Sequence, residues 1–303
     1  MNVGSQARER LSVVWFLIFA FAPTWCIWAC LWLLHISPSD TVRFALFGTA
    51  PMYFPGLAAL GVQRFILREG LGTSTIFRIG RARFYLWAWM LFPTLILVTI
   101  CLDLLTKTSR PDRTFSELQG LFAAAGRPLP ADLRRFAFGQ LGTALLIGPP
   151  IHALTTIGEE VGWRDFLLRR LLRAGFSEWA ALLMSGAIWG LWHIPVILLG
   201  LEYANNPFLG IPAFVIYATL VGVIIGWLQL ASGSVWVPAV AHGSINTVQR
   251  ASLVFITGYD GLIAGGLGSV IGWLPLTAFI VWLARSGRLP ARDVSLPETA
   301  IHV

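Results

Sequence analysis

Two adjacent carboxylates, Glu159 and Glu160, stand directly after an apolar run long enough to cross a bilayer. Ionisable groups at membrane depth are costly to desolvate, so they are rare there and default to a functional reading. Two later apolar runs each carry one histidine. His193 lies in Trp189-Gly190-Leu191-Trp192-His193-Ile194-Pro195, and His242 stands four residues before Asn246. Carboxylate and imidazole are the side chains best suited to moving a proton to or from water near neutrality. If the three stretches meet, they form one buried polar site with general-base and hydrogen-bonding capacity.

Each stretch has a bland alternative. Neighbouring helix positions are about 100° apart, so Glu159 and Glu160 cannot both face one atom. Glu160 precedes Arg164 by four residues, the favoured order for an i,i+4 ion pair, which leaves Glu159 to face inward. Alternatively, both glutamates end a helix at the headgroups, beside Arg164, Arg169, Arg170 and Arg173. Pro195 cannot donate to the carbonyl of Leu191, so a kink is expected next to His193. A lone histidine there is also compatible with a satisfied bundle residue. His242 and Asn246 share a helix face, and two donors converging on one point suit a developing oxyanion. Arg250 extends that face by a turn; it could meet an acidic substrate group, but snorkelling to the outer interface is the favoured reading.

The elements that must position these residues are membrane helices. The chain has 303 residues, of which 56% are apolar and only 12% charged, where a soluble domain carries about 25% charge. Mean hydropathy is +0.71. Continuous apolar runs span 11–34, 44–62, 84–102, 136–157, 179–201, 208–230, 235–256 and 262–284, most near the ~20 residues that cross the hydrocarbon. The expected fold is therefore all-α: a polytopic transmembrane helical bundle of about eight spans, forming a single integral membrane domain over 1–303. Its motif-bearing core is 136–257 and its polar tails are 1–10 and 286–303. Strands are not expected, because the runs do not alternate. The pairs Gly222/Gly226, Gly261/Gly265 and Gly268/Gly272 could permit close helix contact.

Basic residues favour one side. Arg64, Arg68, Arg78, Arg81 and Arg83, the arginines after the Glu pair, and Arg285, Arg288 and Arg292 fall on the side of the head. By the positive-inside bias, both termini are expected in the cytoplasm. The 103–135 loop is basic yet outside, and its 115–125 stretch reads as an amphipathic helix. The net charge of +7 is explained by this distribution and by anionic lipid headgroups, so no nucleic-acid partner is expected. Cys26, Cys30 and Cys101 form no CxxC pair, which argues against a zinc knuckle or a disulfide framework.

The order Glu159-Glu160-x-x-x-Arg164, then Trp-Gly-Leu-Trp-His193, then His242-x-x-x-Asn246 resembles the three-motif signature of the CAAX prenyl endopeptidase (CPBP or Abi) family of intramembrane proteases. The family's second motif usually has Phe four residues before its histidine, where this chain has Trp189. The resemblance implies a membrane-embedded endopeptidase acting on a peptide or lipidated protein. Glu159 and His193 would activate the attacking water, His242 and Asn246 would stabilise the oxyanion, and Glu160 and Arg164 would support them. Both metal-dependent and metal-free mechanisms are attributed to such proteins. If a metal is used, Glu159, His193 and His242 could make a three-ligand zinc site with one open position. The rival readings are a non-catalytic membrane immunity factor or peptide-binding scaffold, and a proton-coupled transporter using the same buried groups.

Overall fold

The computed structural model describes residues 3–36, 43, 47–70, 72 and 74–290. Arg292 and most of the 286–303 tail, residues 1–2 of the head, and residues 44–46 of the second expected span lie outside the described residues.

Helix α1 (Val3–Leu33) opens the chain. A 3₁₀ turn, Ala50–Tyr53, runs into α2 (Phe54–Gly61) and a π turn, Val62–Ile66. Then come α3 (Arg83–Leu105), α4 (Ser116–Ala124) and α5 (Leu133–Leu146). Helix α6 (Gly148–Glu160) carries the Glu pair at its end. It continues without a break as a π segment, Val161–Leu168, and then α7 (Arg169–Arg173). The remaining helices are α8 (Glu178–Trp192), α9 (Ile194–Leu198), α10 (Pro207–Ser232), α11 (Trp236–Leu253) and α12 (Val270–Arg285).

Three helices, α1, α3 and α10, are long and apolar enough to cross a membrane. The pair α5 and Gly148–Arg173, bent by 58°, brings the number to as many as four. The eight continuous spans expected from hydropathy are thus broken up at three places, each with a local cause. The 136–157 run divides at Ile147, because Pro149 and Pro150 cannot donate backbone hydrogen bonds to the preceding turn. The 179–201 run divides at His193, ahead of Pro195. The 262–284 run is helical only from Val270, since Gly265 and Gly266 take φ of +107° and +110°, outside the right-handed helix. Gly261/Gly265 therefore makes no helix pair, whereas Gly222 does meet Gly186 at the crossing of α8 and α10.

The expected amphipathic stretch 115–125 is α4, whose Leu118 packs with Phe115 and Ala137. The loop ahead of it is pinned by a short antiparallel ladder, β1 (Arg110–Pro111) with β2 (Ile256–Thr257), which the hydropathy pattern gave no reason to expect. Asp112 also pins it: its carboxylate accepts from Thr114 N and Oγ1 at 2.9 and 2.7 Å and from Ser116 N and Oγ at 2.5 and 2.6 Å. Burial alone would raise the Asp112 carboxyl, but these donors outweigh it and hold it at about 2, below the ordinary 3.8.

The basic stretch after the Glu pair is largely neutralised within the bundle. Arg169 pairs with Asp165 at 3.1 Å, and Asp165 also accepts from the Ser74 and Thr75 hydroxyls at 2.5 and 2.7 Å. Arg170 pairs with Glu9 of α1 at 2.9 Å and with Glu69. The arginines thereby tie α1 and the 67–77 connection to the helix that carries the site.

The tightest crossing lies behind the Glu pair. A Cβ on Gly158 would stand 2.7 Å from the Met52 carbonyl oxygen, and one on Gly162 would collide with Pro55. Gly158→Ala should therefore push the 3₁₀ turn Ala50–Tyr53 away and cost about 1–3 kcal/mol, as overpacking generally does. Gly139→Ala, where a Cβ meets nothing within 4 Å, should cost no stability; thermal melting in detergent compares the two. Acid should release the 106–132 loop, because a depressed carboxylate stabilises the fold above its unfolded value of 3.8 and loses that contribution as pH falls through about 2. Hydrogen-exchange protection of α4 amides, taken relative to intrinsic rates, should fall in wild type between about pH 5 and about pH 2, while Asp112→Asn should be poorly protected throughout.

Candidate active site

The site is built around Trp189, on the last turn of α8. Its indole Nε1 donates to Glu159 Oε2 at 2.7 Å. Its backbone carbonyl accepts from His193 Nδ1 at 2.8 Å. The ring stands edge-on to His242, with centroids 5.2 Å apart, and the Arg164 guanidinium lies 4.2 Å from its centroid. One residue thus touches four of the six expected site residues.

Local backbone chemistry explains how that carbonyl comes to be free. In a regular α-helix the Trp189 oxygen would take the amide of His193. Here the His193 amide instead bonds Gly190 O at 3.1 Å, tightening the last turn before Pro195. The released carbonyl is filled by the His193 ring itself. A carbonyl can only accept, so Nδ1 carries the hydrogen and the Nε2 lone pair is left open. The ring is held laterally by Trp192 and Phe214, with centroids at 4.8 and 4.7 Å.

Glu160, fully buried, turns to a different helix from Glu159. Its Oε1 accepts from Arg164 Nη1 at 3.2 Å and from His242 Nδ1 of α11 at 2.8 Å. Glu159 and Glu160 thus engage α8 and α11 respectively, as the angular step between neighbours demands. The π segment beyond them holds Trp163, whose carbonyl accepts from Ser185 Oγ at 3.0 Å, locking α8 against the segment.

Asn246, half-buried, sits one turn beyond His242, on the wall of a cavity of about 610 Å³. It makes no contact with the Trp189 cluster that would place it beside Glu159. His152 shares that cavity wall and was overlooked in the sequence. Its spacing of seven residues, two helical turns before Glu159, was a signal that it lies on the same side of α6. The role of the Trp189 N–H was also missed. The family pattern has Phe at this place, and Phe has no donor.

Among the described residues, no three His, Cys, Asp or Glu side chains are grouped as a metal site requires. Nδ1 of both histidines and one oxygen of each glutamate are already engaged. Nε2 of both histidines and Oε1 of Glu159 are left over by these bonds, and no step below runs through a metal.

Apolar helices enclosing a buried glutamate, histidine and arginine cluster define a membrane-embedded polar site. Residues 141–248 match the family model described as type II CAAX prenyl endopeptidase Rce1-like, a segment that contains Glu159 through Asn246. Over that segment the chain is similar to the CAAX prenyl endopeptidase family, and its long apolar helices are those of an integral membrane protein. No curated protein matches the chain.

Trp189→Phe keeps an aromatic ring against Arg164 and His242 but removes the hydrogen bond that the indole donates to Glu159 Oε2. A buried charged acceptor that loses its donor costs about 1.5–3 kcal/mol, so turnover should fall about ten- to a hundredfold. Trp189→Ala, which also loses the ring, should fall further; initial rates on one substrate, with expression and melting as controls, check the order.

Proposed function

We propose that this protein is an intramembrane endopeptidase of the CAAX-endopeptidase type that hydrolyses a peptide bond with water activated by Glu159 and His193. The observation that carries this reading is that both groups are anchored on Trp189 through one atom each, Glu159 by Oε2 and His193 by Nδ1. Each keeps one acceptor open, Oε1 and Nε2. Two acceptors held by one residue suit a water that must lose a proton as it attacks.

In the proposed sequence the water oxygen bonds to the scissile carbonyl carbon while its proton passes to Glu159. The carbonyl π pair moves to oxygen, giving a tetrahedral oxyanion. Asn246 donates to that oxyanion from its amide, and His242 from Nε2. The latter demands an imidazolium, because Nδ1 already donates to Glu160. Glu160 supplies the balancing charge, and Arg164, 3.2 Å away, orients it. Collapse of the oxyanion breaks the C–N bond, and Glu159 returns its proton to the leaving amine.

The substrate in this reading is a peptide or a lipidated protein. The shorter helices complete a single integral membrane domain of about eight crossings, with the termini on the cytoplasmic side. The distribution of Arg64, Arg68, Arg81 and Arg83 supports that orientation.

Glu159→Ala and His193→Ala, in purified protein offered a peptide library, should each lower cleavage about 10²–10⁴-fold, the usual worth of a general base, without loss of expression. Cleavage should persist in chelator and gain nothing from added zinc. A transporter would instead show proton-coupled flux in liposomes and no cleavage by wild type.

A further inference from the structure

An eight-residue π segment, Val161–Leu168, carries Arg164 into the site. Backbone bonds from i to i+5 are rare and occur mostly as single turns inside α-helices. A run of this length needs bracing from outside the helix. Ser185 of α8 supplies some of it, through its bond to the Trp163 carbonyl at 3.0 Å. Asp165, which the chemistry above does not use, supplies more.

Asp165 is buried and follows Arg164 directly, yet the two side chains meet different neighbours. Arg164 meets Glu160 and the Trp189 face. Asp165 meets the connection ahead of α3. Its Oδ2 accepts from Ser74 Oγ at 2.5 Å and its Oδ1 from Thr75 Oγ1 at 2.7 Å, while the Thr75 amide lies 3.1 Å from both oxygens. Arg169 Nη1 balances the charge at 3.1 Å. Thr75 Oγ1 in turn accepts from Gln229 Nε2 of α10 at 2.9 Å. The same helix also backs Arg164, since a Cβ on its Gly222 would stand 3.7 Å from Arg164 Nη2. Gly222 and Gln229 are two helical turns apart on one face. That face of α10 therefore abuts both the Asp165 clamp and the Arg164 guanidinium.

We infer that Asp165 is a positioning residue: clamped by Ser74 and Thr75, it holds the π segment in register and so keeps the Arg164 guanidinium on Glu160. For its effect on turnover the inference rests on the endopeptidase reading. A π turn that reverts to α slips the chain by one residue, which is about 100° of helix rotation. Glu160 is held from the other side by His242, so such a slip turns Arg164 away from it. Asp165 opposes the slip, because its carboxylate cannot rotate with the chain without leaving buried donors unmatched, at about 1–3 kcal/mol each. Without the guanidinium, Glu160 is no longer oriented to balance the His242 imidazolium that the oxyanion needs. The clamp thus acts through Arg164 and touches no reacting atom.

The test compares Thr75→Val, which removes the hydroxyl and keeps the shape, with Thr75→Ser, which keeps the hydroxyl. Both retain the Asp165–Arg169 pair, so neither alters the charge buried in the bundle, as Asp165→Asn would. Full-length protein is labelled with fluorotryptophan, and the Trp189 signal among the 14 tryptophans is assigned as the one lost in Trp189→Phe. Trp189 lies outside the clamp, but its ring carries the Arg164 guanidinium. Its fluorine resonance should shift in Thr75→Val and return in Thr75→Ser. On a cleaved peptide, Thr75→Val should lower kcat about tenfold, the worth of one hydrogen bond to a charged group, with KM within about twofold of wild type. Thr75→Ser should recover kcat to within about threefold. A Trp189 resonance unmoved in Thr75→Val overturns the inference. So does a kcat that falls only in proportion to lost folded protein, or one that Thr75→Ser does not recover. Absence of cleavage by wild type would instead remove the endopeptidase reading, and the fluorine shift would still decide whether the clamp positions Arg164.

Discussion

The arrangement depends on the cost of burying Glu160. A carboxylate withdrawn from water loses several kcal/mol of hydration unless matched charges and donors replace it. Arg164, on the same helical stretch, and His242, from α11, supply the replacement at one oxygen. Satisfying that one charge fixes how α6 and α11 are placed. The guanidinium that neutralises it must in turn be accommodated, and the Trp189 face does so. Trp189 then brings Glu159 and His193 with it. Removal of any one partner leaves an uncompensated charge in the bundle, so the site is a single electrostatic unit and not a set of independent side chains.

Such a unit requires helices closer than side chains ordinarily permit. Gly158 and Gly162 bracket the Glu pair in sequence; Gly158 faces the 3₁₀ turn Ala50–Tyr53 and Gly162 faces Pro55 at the start of α2. Gly186 meets Gly222 where α8 crosses α10, one turn before Trp189. Gly243, next to His242, would set a Cβ 2.7 Å from the Pro149 carbonyl oxygen. In each case the residue beside or near a functional side chain is reduced to hydrogen so that a neighbouring backbone can back it. Membrane helices gain little from apolar contact alone, because lipid offers the same; close packing is what remains to hold them.

The sequence made much of this legible, and the limits are physical. Charge and imidazole in apolar runs pointed to the site residues, and the i,i+4 relation of Glu160 and Arg164 is present at 3.2 Å. Hydropathy located α1, α3 and α10 closely, because length and apolarity are all that a straight span needs. It failed where an apolar run is not a helix. Gly265 and Gly266 are apolar enough to extend a run yet take positive φ, and Pro149-Pro150 interrupts one without adding polarity. Straight spans drawn over the apolar runs 136–157 and 179–201 would leave Glu159 past the end of one and His193 well inside the other. The helix carrying Glu159 in fact continues to Arg173 as one rod, through a π segment that no residue pattern announced. The indole donor of Trp189 was legible in principle, since Trp differs from Phe by an N–H. What could not be read was which acceptor it would find, since that depends on the crossing of α6 and α8.

Two helices that make the site, α6 and α11, also make the cavity. Along α11, His242, Asn246 and Arg250 follow at intervals of four, and along α6 His152 precedes Glu159 by seven. Both sets therefore run from the buried cluster toward the apolar chamber under α4. The buried end is dense in paired charge; the chamber end carries Arg127, Arg250 and mainly apolar walls. The polar cluster and the apolar chamber therefore share α6 and α11, so a change in the crossing of these two helices alters both at once.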